Sequence, residues 1–100
     1  MIELSLITGF DWDAGNSRKN DKKHGVSQTE AEQAFFNQPL LLLADKLHSQ
    51  REPRFHALGK TDNDRLLHVT FTLRYGNSRI RVISARDMHR KERAYYEQKG

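Results

Sequence analysis

The alternation of apolar and polar residues between Leu66 and Arg74 constrains the fold more than any other feature of this sequence. Every second residue of this run is apolar, namely Leu67, Val69, Phe71 and Leu73. A period of two predicts a β-strand with one face toward a core and one polar face. The turn-forming residues Tyr-Gly-Asn-Ser follow at 75–78, and a second strand-like run continues to Arg86. The sequence therefore predicts a β-hairpin.

Two arginines of this hairpin indicate a binding site for phosphate. Arg74 and Arg86 are predicted at or near strand ends on opposite arms of the hairpin, so we expect their side chains to lie near each other. Guanidinium groups bind phosphate through paired hydrogen bonds, and burying them without an anionic partner is costly. An Asp or Glu within the protein is the alternative partner for either arginine.

The segments before the hairpin begin with one predicted strand and two predicted helices. Leu4–Phe10 suits a short first strand. Asp13 is a good N-cap for a polar helix over 14–24, and Gly25 fits the position after the end of that helix. The capping box of Ser27–Glu30 then begins a second helix.

The remaining elements complete the prediction of an α+β fold. Two more strands are predicted at 40–44 and 54–59, and a charged helix from about Asp87 or His89 to Gln98 follows the hairpin. Strands and helices that occupy separate stretches of a chain are typical of α+β domains. We therefore predict a short N-terminal strand, two helices, a four-stranded antiparallel sheet and a C-terminal helix, with the helices on one face of the sheet.

The chain is basic and contains no cysteine. Its 100 residues suit one domain, and 17 Lys and Arg against 13 Asp and Glu give a net charge of +4 and a pI near 9.6. A basic surface fits a nucleic acid or an acidic protein as partner. The lack of cysteine excludes disulfides and thiolate metal sites and agrees with a reducing cytoplasm. No apolar run suits a membrane span and the start lacks a basic signal-peptide region, so we expect a cytoplasmic protein without membrane contact.

Three stretches, taken in order, resemble one protein family. They are 10–13 with 20–27, then 45–49 with 52–55 and 57–59, then 83–86 with 92–93 and 96–97. Together they resemble the BrnT family of bacterial type II toxins, and the resemblance extends from Phe10 to Glu97. It implies a RelE-like microbial-ribonuclease fold and a cytoplasmic endoribonuclease that arrests growth. It also implies a BrnA-like antitoxin, which inhibits the toxin and carries the operator-DNA-binding element through which the pair represses its operon.

Two positions depart from the pattern of that family. The family often has Ser or Thr where this chain has His89, so a capping box with Glu92 is lost and Asp87 becomes the expected cap of the last helix. The family often has Phe where this chain has Gln28, which thins the expected packing of the second helix. Neither departure affects the candidate phosphate-binding arginines.

The catalytic candidates follow from what metal-independent RNA cleavage requires. The 2′-hydroxyl of the RNA attacks the adjacent phosphate, and the reaction needs a base, an acid and cations around that phosphate. The resemblance and the available side chains together imply which residues supply them. The candidates for phosphate binding are Arg54, Arg74 and Arg86, and those for proton transfer are Glu52, His24 and His48.

Candidates for further RNA contacts each have an alternative structural explanation. Lys23 and His48 would add positive charge or polar contacts, and Trp12 would stack on a base. Trp12 could instead be a core residue, and Lys23 with His24 could be an ordinary helix C-terminus. Glu52 and Arg54 could be an exposed ion pair of little energetic value.

The sequence leaves three classes of function open. One is the metal-independent ribonuclease toxin that the resemblance implies, for which no cofactor is expected because the histidines lack the spacing of a zinc motif. The second is a non-catalytic module, a degenerate toxin that binds nucleic acid or antitoxin. The third is an interaction domain whose basic face binds an acidic partner.

Overall fold

In the residues that the structure describes, the fold consists of a five-stranded mixed β-sheet and three α-helices. The computed structural model describes residues 4–47 and 52–99. Its strands are β1 (Gly9–Asp11), β2 (Leu41–Asp45), β3 (Arg54–Lys60), β4 (Leu66–Arg74) and β5 (Arg79–Asp87). Its helices are α1 (Ala14–His24), α2 (Gln28–Gln33) and α3 (Arg90–Lys99), after a 3₁₀ turn at Leu4–Leu6. Within the described ranges, no helix has the length and apolar character that crossing a membrane requires.

The predicted α+β class and the predicted hairpin are confirmed, but the sheet is larger than predicted. The spatial order is β1-β5-β4-β3-β2, and β2 to β5 are consecutive antiparallel strands. The predicted first strand is partly wrong, because Leu4–Leu6 form a 3₁₀ turn and only Gly9–Asp11 are extended. These three residues pair parallel with Arg79–Arg81 and so join the same sheet. The side-chain period of a strand does not encode the direction of its neighbour, so sequence alone could not reveal this pairing.

The sheet has an apolar face and a polar face. Residues directly opposite each other on paired strands share a face, and the pairs Phe55–Phe71 and Val69–Ala85 lie in the main core. Helix α2 and the residues beside it cover this apolar face with Val26, Ala31, Ala34 and Phe35. The opposite side, called the polar face below, carries Arg54, His56, His68, Thr70, Thr72, Arg74, Arg81, Ser84 and Arg86.

Helix α3 packs on the polar face, so the prediction that all helices share one face is wrong. Met88 and Tyr96 are buried with Leu58 in a second, smaller core. The Tyr96 hydroxyl donates a hydrogen bond of 2.5 Å to the carbonyl oxygen of Pro39. Leu58 and Leu66 stand at positions of β3 and β4 that face away from the main core, and burying this apolar surface requires a separate cover. Helix α3 provides that cover and leaves the rest of the polar face open.

Helix α1 closes the edge of β5 beyond the short strand β1. The side-chain amide of Asn16 donates to the carbonyl oxygens of Val82 and Ile83, both at 3.1 Å. Four residues on, the buried Asn20 accepts from the N–H of Ala85 at 2.9 Å and donates to its carbonyl at 3.0 Å. Asn16 and Asn20 share one side of the helix because they are four residues apart. Their side-chain amides make the hydrogen bonds that a further strand would otherwise make with the edge of β5.

The predicted helix caps of α1 and α2 are confirmed, whereas the expected cap of α3 is wrong. Asp13 accepts from the N–H of Asn16, Gly25 has a φ of 65°, and Ser27 with Glu30 forms the reciprocal capping box. The carboxylate of Asp87 binds Arg65 at 2.7 and 3.0 Å instead of capping α3. Glu92 accepts from the backbone N–H of His89 at 2.8 Å. This is one of the two hydrogen bonds of a capping box, and unlike the other it does not require a Ser or Thr side chain.

We expect Gly59→Ala to destabilise the fold because β3 and the end of α2 approach closely at this glycine. A Cβ atom at Gly59 would lie 2.4 Å from the carbonyl oxygen of Ala34, so the backbone would have to shift. Such overpacking should lower the free energy of unfolding by about 1–3 kcal/mol, measured by urea denaturation. Gly9→Ala is the matched control, because a Cβ there meets nothing within 4 Å. Equal stabilities of the two variants would contradict the close approach.

Candidate active site on the polar face

A cavity opens on the polar face between the β2–β3 hairpin and helix α3. Its volume is about 380 Å³. The residues that line it are Leu43, His56, Leu58, His68, Lys91, Glu92 and Tyr95. Its walls combine apolar side chains with two histidines and an acid, and such a mixture is typical of ligand-binding and active sites. The titratable residues of this cavity therefore define the candidate active site.

Two histidines on neighbouring strands are joined by a hydrogen bond. Nδ1 of His56 lies 2.9 Å from Nε2 of His68, and the Thr70 hydroxyl lies 3.0 Å from the same Nδ1. The other nitrogen of His56, Nε2, lies 3.0 Å from a carboxylate oxygen of Asp45, which is buried. Asp45, His56 and His68 thus form a continuous polar chain across β2, β3 and β4.

The chain ends at an ion pair between Arg86 and Glu92. The guanidinium donates to both carboxylate oxygens of Glu92, at 2.8 and 3.0 Å. Nδ1 of His68 lies 2.5 Å from Nη2 of Arg86 and 2.9 Å from Oε2 of Glu92. The histidine therefore meets a donor and an acceptor at the same nitrogen, and its protonation state decides which of the two it binds.

A single ordering of protons satisfies the whole chain when both histidines are neutral. His56 donates from Nε2 to Asp45 and accepts at Nδ1 from His68, whose Nδ1 then accepts from Arg86. If His68 is protonated, its Nδ1–H can donate to Glu92 instead. Both protonation states of His68 therefore have a hydrogen-bond partner at Nδ1: the neutral form accepts from Arg86, and the protonated form donates to Glu92.

Burial and charge favour the neutral state of His68. Burial lowers the pKa of His68 below its ordinary value of 6.5; the carboxylate of Glu92 opposes this, and the charges of Arg86 and His56 add to it. Burial raises the pKa of Glu92, but hydrogen bonds from Arg86 and from the His89 backbone outweigh it and hold that pKa at about 2. At neutral pH the site therefore contains a neutral imidazole beside an ionised Arg–Glu pair.

Strand register brings these residues together, and sequence reasoning missed most of them. Leu58 lies opposite His68, and His68 lies opposite Arg86, so three strands contribute to one spot. His56 and His68 both occupy polar positions of alternating strands, a signal that the sequence contained. Their pairing across β3 and β4, and the approach of Glu92 from α3, are tertiary contacts without a sequence motif.

The predicted arginines share the polar face but do not lie together. Arg74 lies opposite Arg79 at the turn end of the hairpin, whereas Arg86 lies opposite His68 at the other end. His68 and Arg74 are six positions apart along β4, which corresponds to about 20 Å. The expected proximity of Arg74 and Arg86 is therefore wrong, because an antiparallel register places the end of one strand beside the start of the next. Arg54 lies opposite Asp45.

Glu52 and Trp12 have partners within the protein. Glu52 accepts from Arg74 at 3.2 Å, and the side chains of Arg74 and Glu52 are 42% and 38% exposed. Trp12 packs against the main core, and its indole N–H donates to Glu32 at 2.7 Å. These contacts favour the structural interpretation of Trp12 over base stacking. They place Glu52 beside Arg74, at the end of the sheet remote from the histidine pair.

Lys23 and His24 lie beyond the edge of β5, and His48 lies outside the described residues. Lys23 and His24 line a groove of about 140 Å³ together with Lys19 and Ser84. Ser84 belongs to the polar face, so this groove continues that face toward α1. The predicted residues that are described thus occupy four places. Arg54 and Arg86 lie beside the histidine pair, Arg74 and Glu52 lie at the turn end of the hairpin, Lys23 and His24 lie in the α1 groove, and Trp12 lies against the main core. Among residues 4–47 and 52–99, no three His, Asp or Glu side chains converge as a metal-binding group.

Comparison with known proteins identifies a family and a solved structure with a similar fold. Residues 12–92 match the model of a family described as the ribonuclease toxin BrnT of type II toxin–antitoxin systems. The crystal structure of the Brucella abortus ribonuclease toxin BrnT matches with a TM-score of 0.62 and 21% identity, over 83% of this chain and 99% of that chain. No curated protein sequence matches the chain. The structural likeness shows a shared α+β fold.

We expect His68 to titrate below pH 6.5 in a histidine NMR experiment, because burial disfavours its charged form. Glu92→Gln removes the carboxylate that raises this pKa and should lower it further, whereas Arg86→Gln removes a cation and should raise it. The folded-state pKa of His68 lies below the unfolded value, so the unfolded chain binds the proton first as pH falls. The contribution of His68 to the free energy of unfolding is therefore present above about pH 6.5 and is lost as pH falls through the folded pKa. Shifts of the same sign in both variants would contradict the charge arrangement described for this site.

Proposed function

This chain belongs to the BrnT family of ribonuclease toxins of type II toxin–antitoxin systems, and we propose that it is a metal-independent endoribonuclease whose active site is the histidine pair of the polar face. The supporting observation is the hydrogen-bonded chain from Asp45 through His56 and His68 to Arg86, which reaches a cavity on the surface. It combines groups able to transfer a proton with a cation suited to phosphate, as this reaction requires.

The proposed reaction begins with attack of the RNA 2′-hydroxyl oxygen on the adjacent phosphorus. The histidine pair takes the proton of that hydroxyl, and Arg86 stabilises the negative charge that develops on the phosphate oxygens. The bond from phosphorus to the 5′-oxygen breaks, and a proton returned by the imidazole pair completes the leaving hydroxyl. The products are a 2′,3′-cyclic phosphate and a 5′-hydroxyl end.

The ion pair between Arg86 and Glu92 suggests how substrate binding would activate His68. A phosphate group would replace Glu92 as the bidentate partner of Arg86. Glu92 would then accept a hydrogen bond from a protonated His68, whose Nδ1 lies 2.9 Å from its Oε2. The base would thus become stronger when RNA is bound, because the carboxylate stabilises the imidazolium that proton abstraction forms.

The other predicted residues are assigned to RNA binding along the same face. Arg54 lies on the polar face two residues before His56 on β3, Arg74 lies at the turn end of the hairpin, and Lys23 with His24 lines the groove that continues this face. Cations in such positions bind the phosphates of flanking nucleotides and do not read the sequence. Within this proposal Glu52 keeps Arg74 oriented and has no role in proton transfer.

The proposal includes the biological setting that the family implies. A type II toxin is expected to bind a protein antitoxin, and we propose a BrnA-like antitoxin that inhibits cleavage. The toxin would repress its operon with that antitoxin, touching operator DNA only through it. An RNA substrate places the proposed activity in the cytoplasm, and the proposed fold relationship is to RelE-like ribonucleases.

The test of catalysis is cleavage of a labelled single-stranded RNA by the purified toxin, free of antitoxin and with EDTA present. We expect His68→Gln and Arg86→Gln each to lower the cleavage rate by about 100-fold or more, because each removes a proton-transfer group or a phosphate-stabilising cation. His89→Gln is the matched control, since this histidine is exposed and its side chain lies at the start of α3. Circular dichroism verifies that each variant is folded.

Three results would contradict the proposal. RNA that is bound but never cut by the wild-type chain would identify a non-catalytic binding module. Cleavage that requires Mg²⁺, or that leaves no 2′,3′-cyclic phosphate, would exclude attack by the 2′-hydroxyl. Equal activity of His68→Gln and His89→Gln would exclude the histidine pair as the active site.

A second test separates RNA binding from chemistry. We expect Arg74→Gln and Lys23→Gln to weaken RNA binding and to reduce the slope of log K against log salt by about 1 each, while kcat stays unchanged. Lys22→Gln is the control for Lys23→Gln, because Lys22 is also exposed on α1 but does not line the groove. A large fall in kcat for Arg74→Gln would move the reaction centre to the hairpin turn.

A further inference from the structure

The two edges of the sheet differ in whether their backbone groups are covered. Beyond β1, the edge of β5 is closed by Asn16 and Asn20 of helix α1. No segment of the described residues pairs with the outer edge of β2. Leu41–Asp45 pairs with β3 in a continuous register of five residue pairs, without the bulge, proline or lysine that usually protects an edge strand. An edge of this kind can pair with an added strand.

Apolar side chains at this edge are exposed. Leu43 is 43% exposed, Tyr95 on α3 is 40% exposed, and Leu47 just after β2 is 82% exposed. Leu43 and Tyr95 also line the cavity that contains His56 and His68. The exposed edge and the candidate active site are therefore parts of one surface, named here the β2 edge surface.

The charge of the β2 edge surface selects the kind of partner. Lys46 follows β2 and Lys91 lines the cavity, both exposed and without an ion pair to any residue that the structure describes. The whole chain has a net charge of +4. A second copy of the chain, paired through β2 about a twofold axis, would bring cations against cations. An acidic partner gains from the same charges.

We infer that the β2 edge surface binds an extended, acidic segment of the antitoxin as a sixth strand of the sheet. Adjacent strands lie about 4.8 Å apart, so a strand added to β2 runs about 10 Å from β3, which carries His56. Alternate side chains of the segment then project on the side of Leu43. An Asp or Glu at such a position passes over Leu43 and Tyr95 and places its carboxylate near Lys91, at the mouth of the cavity.

In this arrangement, binding of the antitoxin segment would itself inhibit RNA cleavage. The added strand covers the mouth of the cavity, and its carboxylate occupies space that an RNA phosphate would need. The inhibitory part of the inference rests on the proposed ribonuclease function. The binding part does not, because it follows from strand geometry, exposure and charge alone.

The inference is tested by titration calorimetry of the folded toxin with the full-length antitoxin encoded together with it. We expect Leu43→Asp to weaken binding by about tenfold or more, because it removes an apolar contact and sets a negative charge against the acidic segment. Leu4→Asp is the matched control, because it makes the same change of charge at a residue that is also 43% exposed. Leu4 lines a different apolar groove, of about 440 Å³, beside Phe36. Lys91→Gln should weaken binding and reduce its dependence on salt.

Hydrogen exchange of the complex provides an independent measurement. Strand addition should protect alternate amides of residues 41–45, since only every second N–H points outward from an edge. Unchanged exchange of these amides would overturn the inference, as would weaker binding by Leu4→Asp with Leu43→Asp unaffected. Neither measurement uses RNA cleavage, so a chain without ribonuclease activity could still support the binding surface, and an active chain could still refute it.

Discussion

One extra residue in β5 determines which side chains reach the polar face. Thr70 lies opposite Ser84 but Phe71 lies opposite Val82, so Ile83 is an additional residue in the ladder. In an unbroken strand the side chains alternate strictly, and Arg86 would share the face of Val82, which is in the core. The bulge shifts the alternation by one residue, so Val82 stays buried and Arg86 meets His68. The candidate active site depends on this shift.

The same bulge accounts for the position of helix α1 beside β5. A bulge disrupts the hydrogen bonds of its own strand, and here the carbonyl groups of Val82 and Ile83 both receive the amide of Asn16. Asn20 then continues the edge at Ala85. A helix whose sequence contains almost no apolar stripe is thus held by side-chain amides. Its lysines form no ion pair with any residue that the structure describes, and they extend the basic surface.

The sequence contained the local features of this fold but not the contacts that build the site. The strand alternation, the turn after Arg74 and the capping box at Ser27 each involve neighbouring residues, and all three were predictable. The position of Arg86 relative to Arg74 depends on register, and that of Glu92 depends on how α3 crosses the sheet. His56 and His68 are polar members of alternating strands, but their spacing along the chain matches no metal-binding motif and does not indicate that they meet.

The arrangement of charge on the polar face is a compromise between stability and proposed chemistry. A partly buried guanidinium is stabilised by Glu92, and breaking such a pair leaves an uncompensated charge. RNA could bind Arg86 without that penalty because its phosphate supplies the same bidentate acceptor. An acidic strand at the β2 edge would oppose RNA binding by placing a carboxylate near Lys91, at the mouth of the cavity that leads to the histidine pair. The RNA phosphate, Glu92 and the carboxylate of the proposed inhibitor would thus all use the same kind of interaction, in which a negatively charged oxygen binds a cationic side chain.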